Sequence, residues 1–197
     1  MTTVRDAVPS DAEAVTAVLT ASFLADPVMS WVFDEVDREQ RLAAMWQLIG
    51  GAGYIPVGAS TVLPAEAGVA TAAALWMPPG IKLGDEFWAE HAAPFFEAIG
   101  SAAERLGQLS EAMSTHHPGD DHWYLLAIGV DPVMQGGGLG SLMLQHTLEI
   151  IDERAEPAYL EATSRRSRVL YERNGFEVIS EFSAPGGPSL WGMWRSA

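Results

Sequence analysis

Three observations predict an α/β fold, a sheet with helices on its faces. Helical and extended segments alternate along the chain; Trp123–Val130 is a compact apolar run of strand length; and that run leads through a glycine-rich turn into a helical repeat. Apolar residues make up 48% of the 197 and charged residues 19%, a globular composition. At roughly 150 residues per domain, the length predicts one domain over 1–197.

The first helix opens at a capping box, Ser10 and Glu13, with Pro9 before it. Val15, Val18, Leu19, Ser22 and Phe23 share one face, and Asp26-Pro27 ends the helix because the residue before proline avoids helical backbone. A second helix starts near Asp37, carries Leu42, Met45, Trp46 and Ile49 on its apolar face, and stops at Gly50-Gly51. Residues 54–63 are ambiguous. Residues 69–77 read as a buried strand closed by Pro78-Pro79-Gly80, despite the alanines at 70–74. Residues 85–113 are mainly helical with a break at Gly100, and 114–121 form a polar loop holding His116 and His117.

Trp123–Val130 is a buried strand ended by Asp131-Pro132. Beyond the turn, Leu142, Leu144, Leu148 and Ile151 give a helix to Arg154, and Ala158–Ala162 is a short strand. A short helix over 169–174 is stopped by Gly175. Strands at 176–182 and 190–194, joined through Pro185-Gly186-Gly187-Pro188, complete the chain.

Eleven Lys and Arg oppose 26 Asp and Glu, a formal net charge of −15, and Lys82 is the single lysine. This charge repels phosphate backbones, so no nucleic-acid partner is expected; cationic small molecules are favoured instead. With no cysteine, disulfides, cysteine metal sites and a cysteine nucleophile are excluded. His116, His117 and His122 lack the carboxylate or cysteine spacing that would complete a metal site, so no metal is expected. Residues 1–11 carry no apolar leader, and no run reaches the roughly 18 apolar residues of a membrane span. A cytoplasmic protein without a membrane partner is expected.

Strand, glycine turn and helix together make an anion site, because the first N–H groups of a helix lack partners and the helix dipole adds partial positive charge. The alternative is a turn that only redirects the chain. A P-loop needs a lysine that is absent here, and the glycine spacing fails the G-x-G-x-x-G dinucleotide pattern from both Gly136 and Gly138. What remains is Q-x-x-G-x-G, Gln135-Gly136-Gly137-Gly138-Leu139-Gly140, directly after a strand end.

That pattern resembles the acetyl-CoA loop of the GCN5-related N-acetyltransferase (GNAT) superfamily. Thirty residues after Gly140, Leu170-Tyr171-Glu172-Arg173-Asn174-Gly175-Phe176 resembles the family's L-Y-E-x-x-G-F segment. The histidine-proline loop before Trp123-Tyr124-Leu125, the pair Leu160-Glu161, and the tail Pro185, Gly187-Pro188, Trp191 and Met193 extend the resemblance to the puromycin N-acetyltransferase branch. The N-terminal half matches only around Phe23, Asp26 and Pro27.

The resemblance implies a mixed, mostly antiparallel central sheet flanked by helices. It implies acetyl-CoA as co-substrate, held by 123–176, and a small-molecule amine acceptor on the N-terminal side, with puromycin-like aminonucleosides first. Main-chain groups of Gln135, Gly136, Gly137, Gly138, Leu139, Gly140 and Ser141 would bind the diphosphate. The strand edge Ile128-Gly129-Val130 would pair with the pantetheine amides, and the N–H of Val130 would polarise the thioester oxygen. Ser164 and Ser167 stand where relatives place a polar side chain on the CoA arm, although the family prefers asparagine there.

Tyr171 is implied as general acid; read by itself it is an amphipathic tyrosine with a packed ring and a wet hydroxyl. Many relatives carry a glutamate inside the strand before the loop, where this chain has Leu126. Glu161 is then the candidate base, or else caps the next turn or orients Tyr171. Arg165, Arg166 and Arg168 would meet the CoA phosphates or lie on a solvated loop. Trp31, Trp46, Trp76, Trp88 and Trp123 read first as core residues; Phe23, Trp31 and Trp123 are also candidate walls of the acceptor pocket. A homodimer is the assembly common among such relatives. Two further functions stay open: a non-catalytic acyl-CoA sensor, and acetylation of peptide amines.

Overall fold

The computed structural model describes residues 3–197. Its seven strands are β1 (Arg5–Asp6), β2 (Thr61–Pro64), β3 (Ala70–Met77), β4 (Trp123–Val130), β5 (Ala158–Ala162), β6 (Glu177–Phe182) and β7 (Leu190–Arg195). They form one sheet in the order β1-β2-β3-β4-β5-β7-β6. All neighbours are antiparallel except β4 and β5, so the sheet is mixed and mostly antiparallel.

Helices cover both faces. On one side lie α1 (Ala12–Phe23), α2 (Pro27–Val32), α3 (Arg38–Trp46), α4 (Asp85–Ile99) and α5 (Ala103–His116). On the other lie α6 (Leu139–Glu153) and α7 (Arg165–Arg173). The strand β3 shows why its sequence does not alternate in polarity: Ala73, Leu75 and Met77 face the first layer, and Ala72, Ala74 and Trp76 face the second. Both faces are buried, so both parities are apolar. Among the described residues, no helix is long and apolar enough to cross a membrane.

Several local expectations are corrected. The Ser10–Glu13 box does not form; Asp11 accepts the Val8 N–H at 2.8 Å and pairs with Arg5 at 2.7 Å, which ties β1 to the start of α1. Asp26-Pro27 is both a stop and a start: the Asp26 carboxylate accepts the N–H groups of Val28 and Met29 as N-cap of α2, with Pro27 in the first turn. Gly50-Gly51 does not end the second helix, which runs on as a π-helical stretch through Gln47–Tyr54. A Cβ on Gly50 would lie 3.1 Å from Leu75 Cδ1, so the glycine serves close approach to β3. The α5 helix extends to His116, and α7 starts at Arg165 with Ser164 as N-cap, placing three arginines on a helix rather than a loop. The ambiguous 54–63 stretch holds a short 3₁₀ turn and the start of β2.

The strand β4 carries a bulge. Leu75 stands opposite Ala127 and Trp76 opposite Leu125, which leaves Leu126 as the extra residue. Parity flips there: Trp123 and Leu125 face the α6 layer before the bulge, Ile128 and Val130 after it. Gly129 points to α1, and a Cβ on it would stand 2.9 Å from Leu19 Cδ2 and 3.0 Å from Ser22 Cβ. Gly129→Val should therefore cost about 1–3 kcal/mol by overpacking, read as a lower denaturant midpoint with an unchanged slope.

Candidate active site

The strands β4 and β5 run side by side only from Trp123 to Leu125, yet β4 continues to Val130. The antiparallel ladder to β3 decides which main-chain groups this leaves open. Asp131 N–H donates to Thr71 O, so the next pair inward, Val130 and Ala72, is of the non-bonded kind. The amide groups of Val130, and by the same alternation of Ile128, therefore face the gap. Gln135 crosses to this edge, its Nε2 donating to Val130 O at 3.1 Å.

The turn follows at once. Asp131 Oδ1 accepts the Val133 N–H at 2.9 Å, and Gly136 and Gly138 adopt φ of 86° and 83°. These left-handed angles suit glycine, and open space lies where their Cβ atoms would be. The first hydrogen bond into α6 runs from Leu142 N–H to Gly138 O, so the N–H groups just before it point outward at the positive end of the helix.

Gap, turn and α7 enclose a cavity of about 800 Å³. Of the residues singled out from sequence, Phe23, Ile128, Val130, Gln135, Gly136, Gly138, Leu139, Gly140, Ser141, Ser164, Ser167 and Tyr171 line it. Gly129 and Gly137 do not: the first packs under α1, and the second abuts Met134 O. Ser164 and Ser167 bond each other in a capping box at the start of α7. Arg166 and Arg173 border the cavity, whereas Arg168 pairs with Glu172 at 2.7 Å and lies over the Trp191 ring.

The two tryptophans lie elsewhere. Trp123 is buried against Trp76 in the α6 layer, its Nε1–H donating to Glu156 at 2.6 Å. Trp31 packs over Gly187 and belongs to the α1–α5 side.

Tyr171 is 6% exposed, with its ring edge-on to Phe176. Burial first, and then the charge of Asp26, push its phenol above the ordinary tyrosine value. The hydroxyl thus keeps its proton through neutral pH and stands as a donor at the cavity wall. Asp26 and Thr163 are the site residues that sequence reading missed. Asp26 lines the same cavity; Oδ1 accepts from Val28 and Met29, and Oδ2 accepts the Thr163 hydroxyl at 2.5 Å. The available signal was the Asp-Pro pair, which reads as helix stop and N-cap alike.

Glu161 does not line this cavity. It is on the α1–α5 face of β5, its side chain 3% exposed, where Oε2 accepts the Tyr124 hydroxyl at 2.8 Å. Among the described residues, no group of three or more His, Cys, Asp or Glu is arranged to hold a metal ion.

Residues 84–178 match the family model of the acetyltransferase (GNAT) domain. An uncharacterised N-acetyltransferase of Schizosaccharomyces pombe is 26% identical over 176 residues, 84% of this chain and 70% of that protein. A Corynebacterium glutamicum structure described as histone acetyltransferase HPA2 and related acetyltransferase superposes with TM-score 0.76 at 27% identity, covering 100% of this chain and 98% of that one. The Drosophila melanogaster polyamine N-acetyltransferase, which forms N-acetylagmatine, shares the fold at TM-score 0.61 and 17% identity, with both chains covered in full. Residues 84–178 thus match a GNAT acetyltransferase domain, and the fold over the rest of the chain is shared with structures described as acetyltransferases.

Burial raises the Asp26 carboxyl above its ordinary value, against its three hydrogen bonds. Between the unfolded and folded values the native state binds more protons than the unfolded chain, so this group makes stability fall as pH rises. Asp26→Asn removes that dependence. Thermal melts from about pH 4 to pH 7 should shift progressively in favour of the variant as pH rises.

Proposed function

We propose that the cavity binds acetyl-CoA and that the protein transfers the acetyl group to the primary amine of a small molecule. One observation carries the reading: the unpaired edge of β4 at Ile128 and Val130 opens beside the bare N-terminus of α6, with the buried Tyr171 hydroxyl on the same cavity. Acetyl-CoA supplies a thioester, an activated acyl group, together with phosphates and two amides.

This chain's residues fit such a co-substrate. Outward N–H groups over 135–141 meet a diphosphate, and Arg166 and Arg173 add charge-assisted donors. Main-chain groups of Ile128 and Val130 pair with amides as a strand would. The Val130 N–H polarises the acyl oxygen. Tyr171 gives its proton to the departing sulfur. Glu161, across the sheet on the acceptor side, takes the proton that an ammonium must lose before it attacks. Asp26 supplies negative charge next to Tyr171 and favours a cationic acceptor, in keeping with the net charge of −15.

The reading treats 1–197 as one domain, with the N-terminal part on the acceptor side and 123–176 holding acetyl-CoA. It includes a homodimer and a cytoplasmic setting. Among acceptors, a puromycin-like aminonucleoside is the first to try because of the sequence resemblance.

Gly138→Glu should abolish acetyl-CoA binding by calorimetry; retained affinity would remove the cavity from the reading. Tyr171→Phe should fold normally and lose about 100-fold or more in kcat, with little change in KM for acetyl-CoA. Free-thiol release against a panel of amines, puromycin included, identifies the acceptor. Binding without thiol release from any amine or peptide would replace this reading with the sensor.

A further inference from the structure

Glu161 is enclosed by groups that the reading above leaves without a task. Tyr124 faces it from β4, Tyr159 from its own strand, Tyr54 from the π-helical stretch and His117 from the turn after α5; His122 and Asp121 stand behind. Among the described residues, Oε1 has no hydrogen-bond partner, a costly condition for a buried carboxyl oxygen. His117 Nδ1 lies 3.5 Å from it.

The tyrosines are donors only. Burial first, and then the charge of Glu161, raise all three phenols, so they keep their protons and receive none. His117 is different: its side chain is 34% exposed, against 3% for Glu161, so one ring touches both the buried carboxyl and solvent.

Two further contacts determine where the imidazole protons sit. His122 Nδ1 is 2.6 Å from Asp120 O, and a carbonyl can only accept, so that nitrogen carries the proton. Burial pushes His122 below the ordinary imidazole value, which keeps it neutral with a lone pair on Nε2. His117 Nε2, at 3.1 Å, must then donate to it. A neutral His117 is left with a bare Nδ1, aimed at Glu161 Oε1.

We propose that His117 is the proton exit for Glu161 and that His122 is the positioning residue that sets its tautomer. This rests on the acetyl-transfer reading with Glu161 as base. An ammonium acceptor brings three N–H protons. The first passes to Glu161, on to His117 Nδ1 and out to water. The C–N bond then forms and the C–S bond breaks; the sulfur takes a proton from Tyr171, and the second N–H proton replaces it. The third stays on the amide. One proton is released per turnover, and it leaves through His117.

The experiment has two arms, both on the full chain. Nitrogen-15 NMR without any ligand reads the tautomers: His122 should be the Nδ1–H form and neutral His117 the Nε2–H form, and His122→Ala should release that bias on His117. The opposite tautomer at either ring overturns the proposal. In dilute buffer, His117→Ala should lose about tenfold or more in kcat with KM for acetyl-CoA unchanged, and added imidazole should restore the rate. Glu161→Gln should lose at least as much, without rescue. Full activity of Glu161→Gln would refute the base assignment itself. A dead Glu161→Gln beside a fully active His117→Ala would overturn the exit alone and leave the acetyl-transfer reading standing.

Discussion

Two parallel strands part after three residue pairs. Beyond Leu125, β4 keeps its ladder to β3 but loses β5, and the sheet is left with unpaired amides in its middle rather than at its rim. Unpaired main-chain groups in a protein interior carry a free-energy cost unless water or a ligand satisfies them. The rest of the architecture answers to this opening. The bulge at Leu126 turns Ile128 and Val130 toward the α6 layer, Gln135 braces Val130 O, and α6 begins where the gap ends.

The two helix layers then take different duties. The layer of α6 and α7 brings the glycine turn, two arginines and Tyr171 to one cavity. The layer of α1–α5 brings Asp26 to the same cavity, and on that side of the sheet Glu161 lies among Tyr124 and Tyr159 from the strands and Tyr54 and His117 from the helical layer. A reaction that must deprotonate an amine and protonate a sulfur needs a base and an acid in separate environments. In the proposed reaction Tyr171 and Glu161 stand on opposite faces of the sheet.

The resemblance to known acetyltransferases follows this division. The family match over 84–178 takes in α4, α5, the turn, α6 and α7, but not α1, α2 or α3. The strand, turn and helix that border the cavity fall inside the matched stretch. The N-terminal helices, which carry Phe23 and Asp26, share the fold of distant relatives without that match.

Local chemistry was legible. The strand, the glycine turn and the helix after it are where their residues place them, because strand period, left-handed glycines and helix period act over a few residues each. Most of the residues singled out from sequence line one cavity, the turn, Tyr171, Ser164 and Ser167 among them. The errors fall where one local signal serves two structures. Asp26-Pro27 stops one helix and caps the next, and Gly50-Gly51 reads as a helix end although β3 needs its lack of side chain. Tertiary structure alone decided that β5 would leave β4, that Asp26 would meet Tyr171 from 145 positions away in the chain, and that His117 would reach Glu161. Periodicity reports the face a side chain takes on its own element; which distant group occupies the other side of that face is settled only when the layers pack.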